Sequence, residues 1–497
     1  MTDPDPELTV PAYDLVIRNA RIVTAEHAAE GDIAIKDGII AALGRVAGDG
    51  AHEIDAAGKF VLPGGVDSHV HVEQRSGMGI MCADDFYTGT VSAAYGGTTT
   101  IIPFAAQHRG MSLRKVVQDY HEAATPKAVI DYAFHLIVSD PTEQVLGQEL
   151  PALIRDGYTS FKIYMTYEAL KVSDYQMLDI LALARREGAL VMVHAENHDM
   201  IQWLAHHLVD QGHVAPRYHA IAHARVAEAE ATNRAIALAR LVDAPMLIVH
   251  MSEIEAIDTV RQARARGLKI FAETCPQYIA LTGDDLDKPD VQGAMWCCSP
   301  PPRDSAAQEA VWAGLKDGTF DVFSSDHAPY QFNEGGKIPK GLKTTFKEMA
   351  NGVPGLELRL PLLFSEGVQT GRIDLHRFVA LSSTNHARLY GLYPRKGTIA
   401  VGSDADLAIW DPQRQVTVRW ADLHDNVGYS PYEGRQITGW PTTVISRGRV
   451  VVENGTLDAA RGSGRFLRCE SPDASRPLGK PAPEMAKMTA FGARPLF

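Results

Sequence analysis

The chain has 497 residues, and at about 150 residues per domain this length suggests roughly three domains. Hydrophobic residues make up 45% and charged residues 22%, an ordinary soluble balance that excludes disorder or coiled coil for the bulk of the chain. The net charge of −13 argues against non-specific nucleic-acid binding. The longest apolar runs, such as 245–249, fall far short of the ~18 residues of a membrane span. The segment Met1 to Glu7 has acidic and proline residues where a secretory signal would have a basic start and an apolar core. Five cysteines in so long a chain predict reduced thiols in a cytoplasmic protein.

In chain order, the first 60 or so residues read as short strands (15–23, 32–36, 39–43) broken by turn signals such as Asp37-Gly38. The same texture returns at 397–410 and 444–452. Both chain ends are therefore expected to pair in one small β domain, with two separate β pieces as the alternative. Between them short apolar strands recur at 63–70, 98–103, 129–137, 159–164, 189–194, 245–250, 269–274 and 320–325, alternating with helices. Ser173 with Gln176 forms a capping box before an apolar series of Met177, Leu178, Ile180, Leu181 and Leu183, and Gly188 stops that helix. Ser252 with Glu255 predicts a second box, before a helix stopped at Gly267. Eight strands over about 260 residues predict an α/β fold, a (β/α)8 TIM barrel, over an open doubly wound sheet. The expected organisation is a small β-sandwich domain from residues 1–62 and 396–465, a barrel over 63–395, and an extended arm over 466–497. That arm is rich in proline (Pro472, Pro477, Pro481, Pro483) and is expected to be frayed or packed on a neighbouring subunit.

Of 19 histidines, a few stand where chemistry is expected. His69 and His71 are two apart in an extended segment, so both can face one ion. The apolar run 189–193 leads into His194, the run 245–249 into His250, and the run 320–325 into Asp326 and His327. Each polar residue ends a strand, on the rim where barrel enzymes place catalytic groups. Lys162 lies within an apolar strand, where an ammonium is costly unless paired or neutralised. Either it pairs with Asp326 or another carboxylate, or its amine adds CO2 to give a carbamate that can bridge two cations. Cys275, Cys297 and Cys298 read as packed thiols, and His108, His135, His206, His207, His213 and His219 as surface or hydrogen-bonded residues.

At these residues the sequence resembles the dihydropyrimidinase/hydantoinase branch of the cyclic-amide amidohydrolases. The matching stretches run in order from Pro63-Gly-Gly-Val-Asp-Ser-His-Val-His-Val-Glu73 and Gly96-Gly-Thr-Thr-Thr-Ile-Ile102 through Ser160-Phe-Lys162 and Val193-His-Ala-Glu-Asn197. They continue with Val249-His-Met-Ser252, Cys298-Ser-Pro-Pro301, Ser325-Asp-His327 and Asn351-Gly-Val-Pro-Gly355. The resemblance implies two divalent metal ions, zinc first. His69, His71, carbamylated Lys162 and Asp326 would hold one, and Lys162, His194 and His250 the other. It implies Asp326 as the base and later the acid, Tyr167 as the donor to the developing oxyanion, and Ser299 and Asn351 as holders of the ring amide through backbone groups. It also implies a homotetramer.

The implied substrate is a small cyclic amide, a dihydropyrimidine or 5-substituted hydantoin opened to an N-carbamoyl amino acid. The alternatives are an allantoin-like or dihydroorotate-like substrate, or an inactive scaffold that kept the fold. Related dihydroorotases and allantoinases carry Arg or Asn where Glu73 stands, so Glu73 favours a substrate without a carboxylate. Residues 74–82 and Pro103 depart from the branch pattern.

Overall fold

Pro63 and Gly64 mark the handover between two sheets. Strand Phe60–Pro63 pairs antiparallel with Leu407–Thr417 near the other end of the chain, while Gly65–Val70 begins a parallel sheet with Thr98–Ala106. The computed structural model describes residues 11–485; the start of the N-terminal segment and the arm from 486 lie outside the described residues.

The parallel sheet is the barrel. Its path runs through Gly65–Val70, Thr98–Ala106, His135–Ile137, Ser160–Tyr164, Leu190–His194, Met246–Ile248, Ile270–Thr274 and Val322–Phe323, eight strands in sequence order. A parallel bridge between Val70 and His327 joins the last strand region back to the first. Side chains alternate between the two faces, as the period of two requires. On Leu190–His194, Leu190 and Met192 pack with the interior residues Ile102, Phe104 and Leu247, while Val191 and Val193 pack outward among the helices. The stretch expected as one strand over 129–137 is two short pieces, Asp131–Tyr132 and His135–Ile137.

Helix Asp174–Glu187 starts on the expected capping box at Ser173 and stops at Gly188, which has a left-handed φ of 75°. The second box is a correction. The cap of helix Ile254–Ala265 is Glu253, whose carboxylate accepts the Ala256 N–H, while the Ser252 hydroxyl donates to buried Glu228 instead. A charged acceptor competes better for that hydroxyl than a backbone amide does for its oxygen.

The small domain joins both chain ends in one nine-stranded sheet ordered from Thr456–Leu457 through Leu407–Thr417, Phe60–Pro63 and Tyr13–Val23 to Ile39–Gly44. Its own core draws Ile17, Ile33 and Ile35 from the first end and Ile399, Leu407 and Ile445 from the second. The described part of the arm, residues 466–485, runs along this chain's own barrel. Leu467 and Cys469 belong to the interior barrel cluster with Tyr390 and Leu392, so the start of the arm closes the floor of this chain's own barrel. Main-chain bonds from Cys469 to Gly157 (3.0 Å) and from Ala482 to Leu241 (3.1 Å) fix its course. Among the described residues no helix is long and apolar enough to cross a membrane.

Candidate active site

The six residues with metal-binding chemistry come together at the end of the barrel where the strands finish. His69 Nε2 lies 2.8 Å from Lys162 Nζ and 3.0 Å from Asp326 Oδ1, and His71 Nε2 is 3.5 Å from the same oxygen. The rings of His69 and His250 are 5.4 Å apart, and those of His250 and His194 are 4.5 Å apart. Donor atoms of His69, His250 and Asp326 all lie within 4.8 Å of one another. These are neighbouring strand ends, so the barrel brings together residues that are up to 257 positions apart, from His69 to Asp326.

Each imidazole is aimed by a second contact. His69 Nδ1 sits 2.5 Å from Glu273 Oε1, and His71 Nδ1 sits 2.8 Å from Gln74 Oε1. For both rings the acceptor takes a hydrogen bond from Nδ1 and turns Nε2 toward the cluster. His194 is held the other way round, with Nε2 2.8 Å from Glu196 Oε2, so its free lone pair is on Nδ1. Burial draws His71 down to about 4 and His250 well below the ordinary histidine value, keeping both neutral. Neutral imidazole is the form that binds metals.

Lys162 is 1% exposed, and its hydrogen bond goes to His69 rather than to a carboxylate. Burial pulls its amine down to about 8 against the opposing pull of Asp326 and Glu273. Burial works to raise Asp326, but the surrounding histidines, His69 foremost, hold it well below the usual carboxylate range. Gln277 Nε2 donates to its second oxygen at 3.3 Å. Tyr167, His250 and Asp326 have positive φ angles of 65°, 37° and 48°, a conformation costing about 1–3 kcal/mol each outside glycine and concentrated at functional sites.

The cluster opens into a cavity of about 390 Å³, a volume suited to a small-molecule ligand. Tyr167, Ser299 and Asn351 line it beside the metal-binding types, with Ile201, Phe346 and Met349 forming an apolar side. Asn351 Nδ2 donates to the Tyr167 hydroxyl at 3.5 Å; eight of the nine site residues expected from the sequence line this space, and His69 lies buried behind it against Lys162 and Asp326. Glu73 turns away from it, pairing with Lys127 at 2.5 Å and accepting the Phe86 N–H at 3.3 Å. Buried His219, expected to be surface or hydrogen-bonded, bonds Ser299 Oγ at 3.1 Å and also lines the cavity, while His135 is buried on Ser160. His206 and His207 are exposed, and all five cysteines are free and buried.

Sequence reasoning missed Glu273, Gln74 and Glu196 as the groups that orient the histidines. Glu273 carried a readable signal, a carboxylate inside the apolar strand Ile270–Thr274, the same anomaly that drew attention to Lys162. Gln74, the first residue of the segment that departs from the branch pattern, is buried against His71.

Residues 60–451 match the amidohydrolase family. The D-hydantoinase of Rhizobium radiobacter is 45% identical over 456 residues, covering 92% of this chain and 98% of that protein. This chain is a member of the amidohydrolase family, in its dihydropyrimidinase/hydantoinase branch. The dihydropyrimidinase structure from Brevibacillus agri is 42% identical with a TM-score of 0.89, covering 92% of this chain and 99% of that one. The L-hydantoinase (dihydropyrimidinase) structure from Arthrobacter aurescens is 30% identical with a TM-score of 0.83, covering 92% and 100%. The fold and the small domain built from both chain ends are those of this branch.

Proposed function

We propose that this amidohydrolase opens dihydropyrimidine and 5-substituted hydantoin rings at a ring amide, releasing an N-carbamoyl amino acid. The observation that carries the proposal is the convergence of His69, His71, Lys162, His194, His250 and Asp326 on one cavity beside Tyr167. The complete set of ligand positions speaks against an inactive scaffold.

The residues fit a pair of divalent ions, with zinc the first choice for imidazole and carboxylate ligands. Among the described residues the buried Nδ1 of His250 has no hydrogen-bond partner, and an ion-binding lone pair is one way to satisfy such a group. His69, His71, Lys162 and Asp326 would hold one ion, and Lys162, His194 and His250 the other. An amine with a pKa of about 8 offers the neutral nitrogen that carbamate formation needs: its lone pair attacks CO2 and its proton leaves to solvent. Divalent ions bound there would lower the pKa of a bound water to about 7 and polarise the ring carbonyl.

The chain's own groups supply the proton traffic. Asp326, kept ionised by the histidines around it, accepts the proton of the attacking water and returns it to the ring nitrogen as the carbon–nitrogen bond breaks. Burial pushes the Tyr167 hydroxyl well above its ordinary value, so it keeps its proton and donates to the oxyanion that forms on the carbonyl. Backbone groups of Ser299 and Asn351 hold the ring amide. The domain limits near 63, 396 and 466 carry over as the working boundaries of the enzyme.

A ring-opening assay of metal-loaded enzyme across dihydrouracil, 5-substituted hydantoins, allantoin, dihydroorotate and simple imides tests the reading. Turnover of dihydrouracil or a hydantoin is expected. Turnover of dihydroorotate alone would overturn it.

A further inference from the structure

Lys337 is fully buried, and its ammonium donates to three backbone carbonyls: Cys297 O at 2.7 Å, Ala350 O at 2.8 Å, and Gly352 O. Among the described residues no carboxylate pairs with it. A buried charge without a counter-ion is expensive, and a well-packed apolar side chain would fill the same volume at lower cost. Three charge-assisted bonds to main-chain oxygens offset part of that cost, and they tie together two loops from distant parts of the chain.

Those loops are the ones that carry Ser299 and Asn351. The Gly352 N–H reaches Cys297 O at 3.0 Å, and the Cys297 thiol donates to Asn351 Oδ1 at 3.3 Å. Gly352 has a φ of 147°, and a Cβ there would come within 2.4 Å of the Ala328 Cβ, so the second loop is held at close quarters. In a planar trans peptide the N–H points opposite to the C=O. Drawing Ala350 O onto the ammonium therefore turns the Asn351 N–H away from Lys337, and drawing in Cys297 O does the same for the Cys298 N–H. One cation thus sets the orientation of the peptide groups on both sides of the cavity wall.

We propose that Lys337 is a positioning residue for substrate binding, its ammonium locking loops 297–299 and 350–352 in the arrangement that presents Ser299 and Asn351 to the ring amide. This rests on the hydrolase reading given above. It does not require Lys337 to touch substrate.

Lys337→Met, which keeps the length and removes the donors, tests it in the metal-loaded full chain. A rise in KM of about tenfold or more is expected, the scale of one lost charge-assisted bond, with a smaller change in kcat and an unchanged metal content. Native KM and kcat, or loss of metal together with activity, would overturn the proposal. Hydrogen–deuterium exchange gives a readout that needs no turnover: amides of 297–299 and 350–352 should exchange faster in Lys337→Met, with the strand amides around His69 and His194 unchanged. If native enzyme opens none of the rings, the hydrolase reading fails and exchange alone decides the clamp, native protection in both loops overturning it. Should Lys337→Met not fold, Lys337→Gln replaces it in both measurements. Raised KM and faster loop exchange support the role of the ammonium, and native values for both refute it.

Discussion

The Nδ1 atom of His69 lies 2.5 Å from Oε1 of Glu273, and neither side chain has any exposed surface. The same carboxylate accepts the His250 N–H at 3.1 Å and the Ser324 hydroxyl at 2.7 Å, so one buried group braces four strand ends. Such a partner fixes the tautomer and the aim of a metal-binding imidazole. Glu273→Gln keeps the shape but weakens the acceptor, and it should lower metal affinity about 10- to 100-fold. Metal retained after dialysis against a graded chelator series measures this, and native retention would remove Glu273 from the site.

Lys162→Ala takes away the amine that faces His69. The expected result is loss of the bound metal pair and of ring opening, and disappearance from the intact-protein mass of an increment of one CO2. A variant that keeps both ions and normal turnover would show that Lys162 holds neither.

The barrel and its rim residues were readable because their signals are local. A strand of period two that runs into a histidine announces both the element and its polar end within about six residues. What escaped depends on partners distant in the chain. The contact of Glu273 with His69 spans 204 positions, and no window on either strand contains both. The cap at Glu253 was misplaced by one residue because Ser252 is claimed by Glu228, 24 positions earlier. The arm's place under the barrel floor depends on Leu467 and Cys469 meeting Tyr390 and Leu392, which a proline-rich composition does not foretell.

Tyr167 lines the cavity with its hydroxyl bonded by Asn351 and its ring 5.2 Å from that of His194. Tyr167→Phe removes one oxyanion donor and no metal-binding group. A fall in kcat of about 10²- to 10³-fold is expected, with unchanged metal content by elemental analysis. Loss of metal in this variant would mean that the hydroxyl serves the ions instead.

Glu253 caps helix Ile254–Ala265 while only 2% exposed, and burial beside Glu228 raises its carboxyl to about 7. An unfolded glutamate titrates near 4.3. Between about pH 4.3 and 7 the folded chain therefore binds this proton more tightly than the unfolded chain, so the group's contribution to stability falls as pH rises and is least above 7. Glu253→Gln cannot ionise. Relative to native protein it should gain on the order of 3 kcal/mol between pH 4.5 and 8. Paired urea melts at the two pH values check this, and a pH-independent difference would assign Glu253 an ordinary pKa.

Lys396 binds the two domains through charge. Its Nζ lies 2.8 Å from Asp131 on the barrel, 2.6 Å from Asp406 and 3.0 Å from Asp404 beside the small domain's sheet, and Arg447 reaches Asp131 at 2.9 Å. Lys396 is 1% exposed, and although burial opposes it, Asp406 and Asp131 hold the ammonium above its ordinary value. Lys396→Met would leave three carboxylates at the junction with Arg447 on Asp131 and Arg395 on Asp404 as the remaining close cations. Removing one partner from a buried ion cluster costs about 3–5 kcal/mol, so a clear fall in Tm is expected with metal content and ring opening intact at low temperature. The double variant Lys396→Met with Asp406→Asn removes one of the stranded charges and should recover part of the loss, because neighbouring substitutions are not additive. Equal melting of the single and double variants would show that Asp406 is not the charge that Lys396 neutralises.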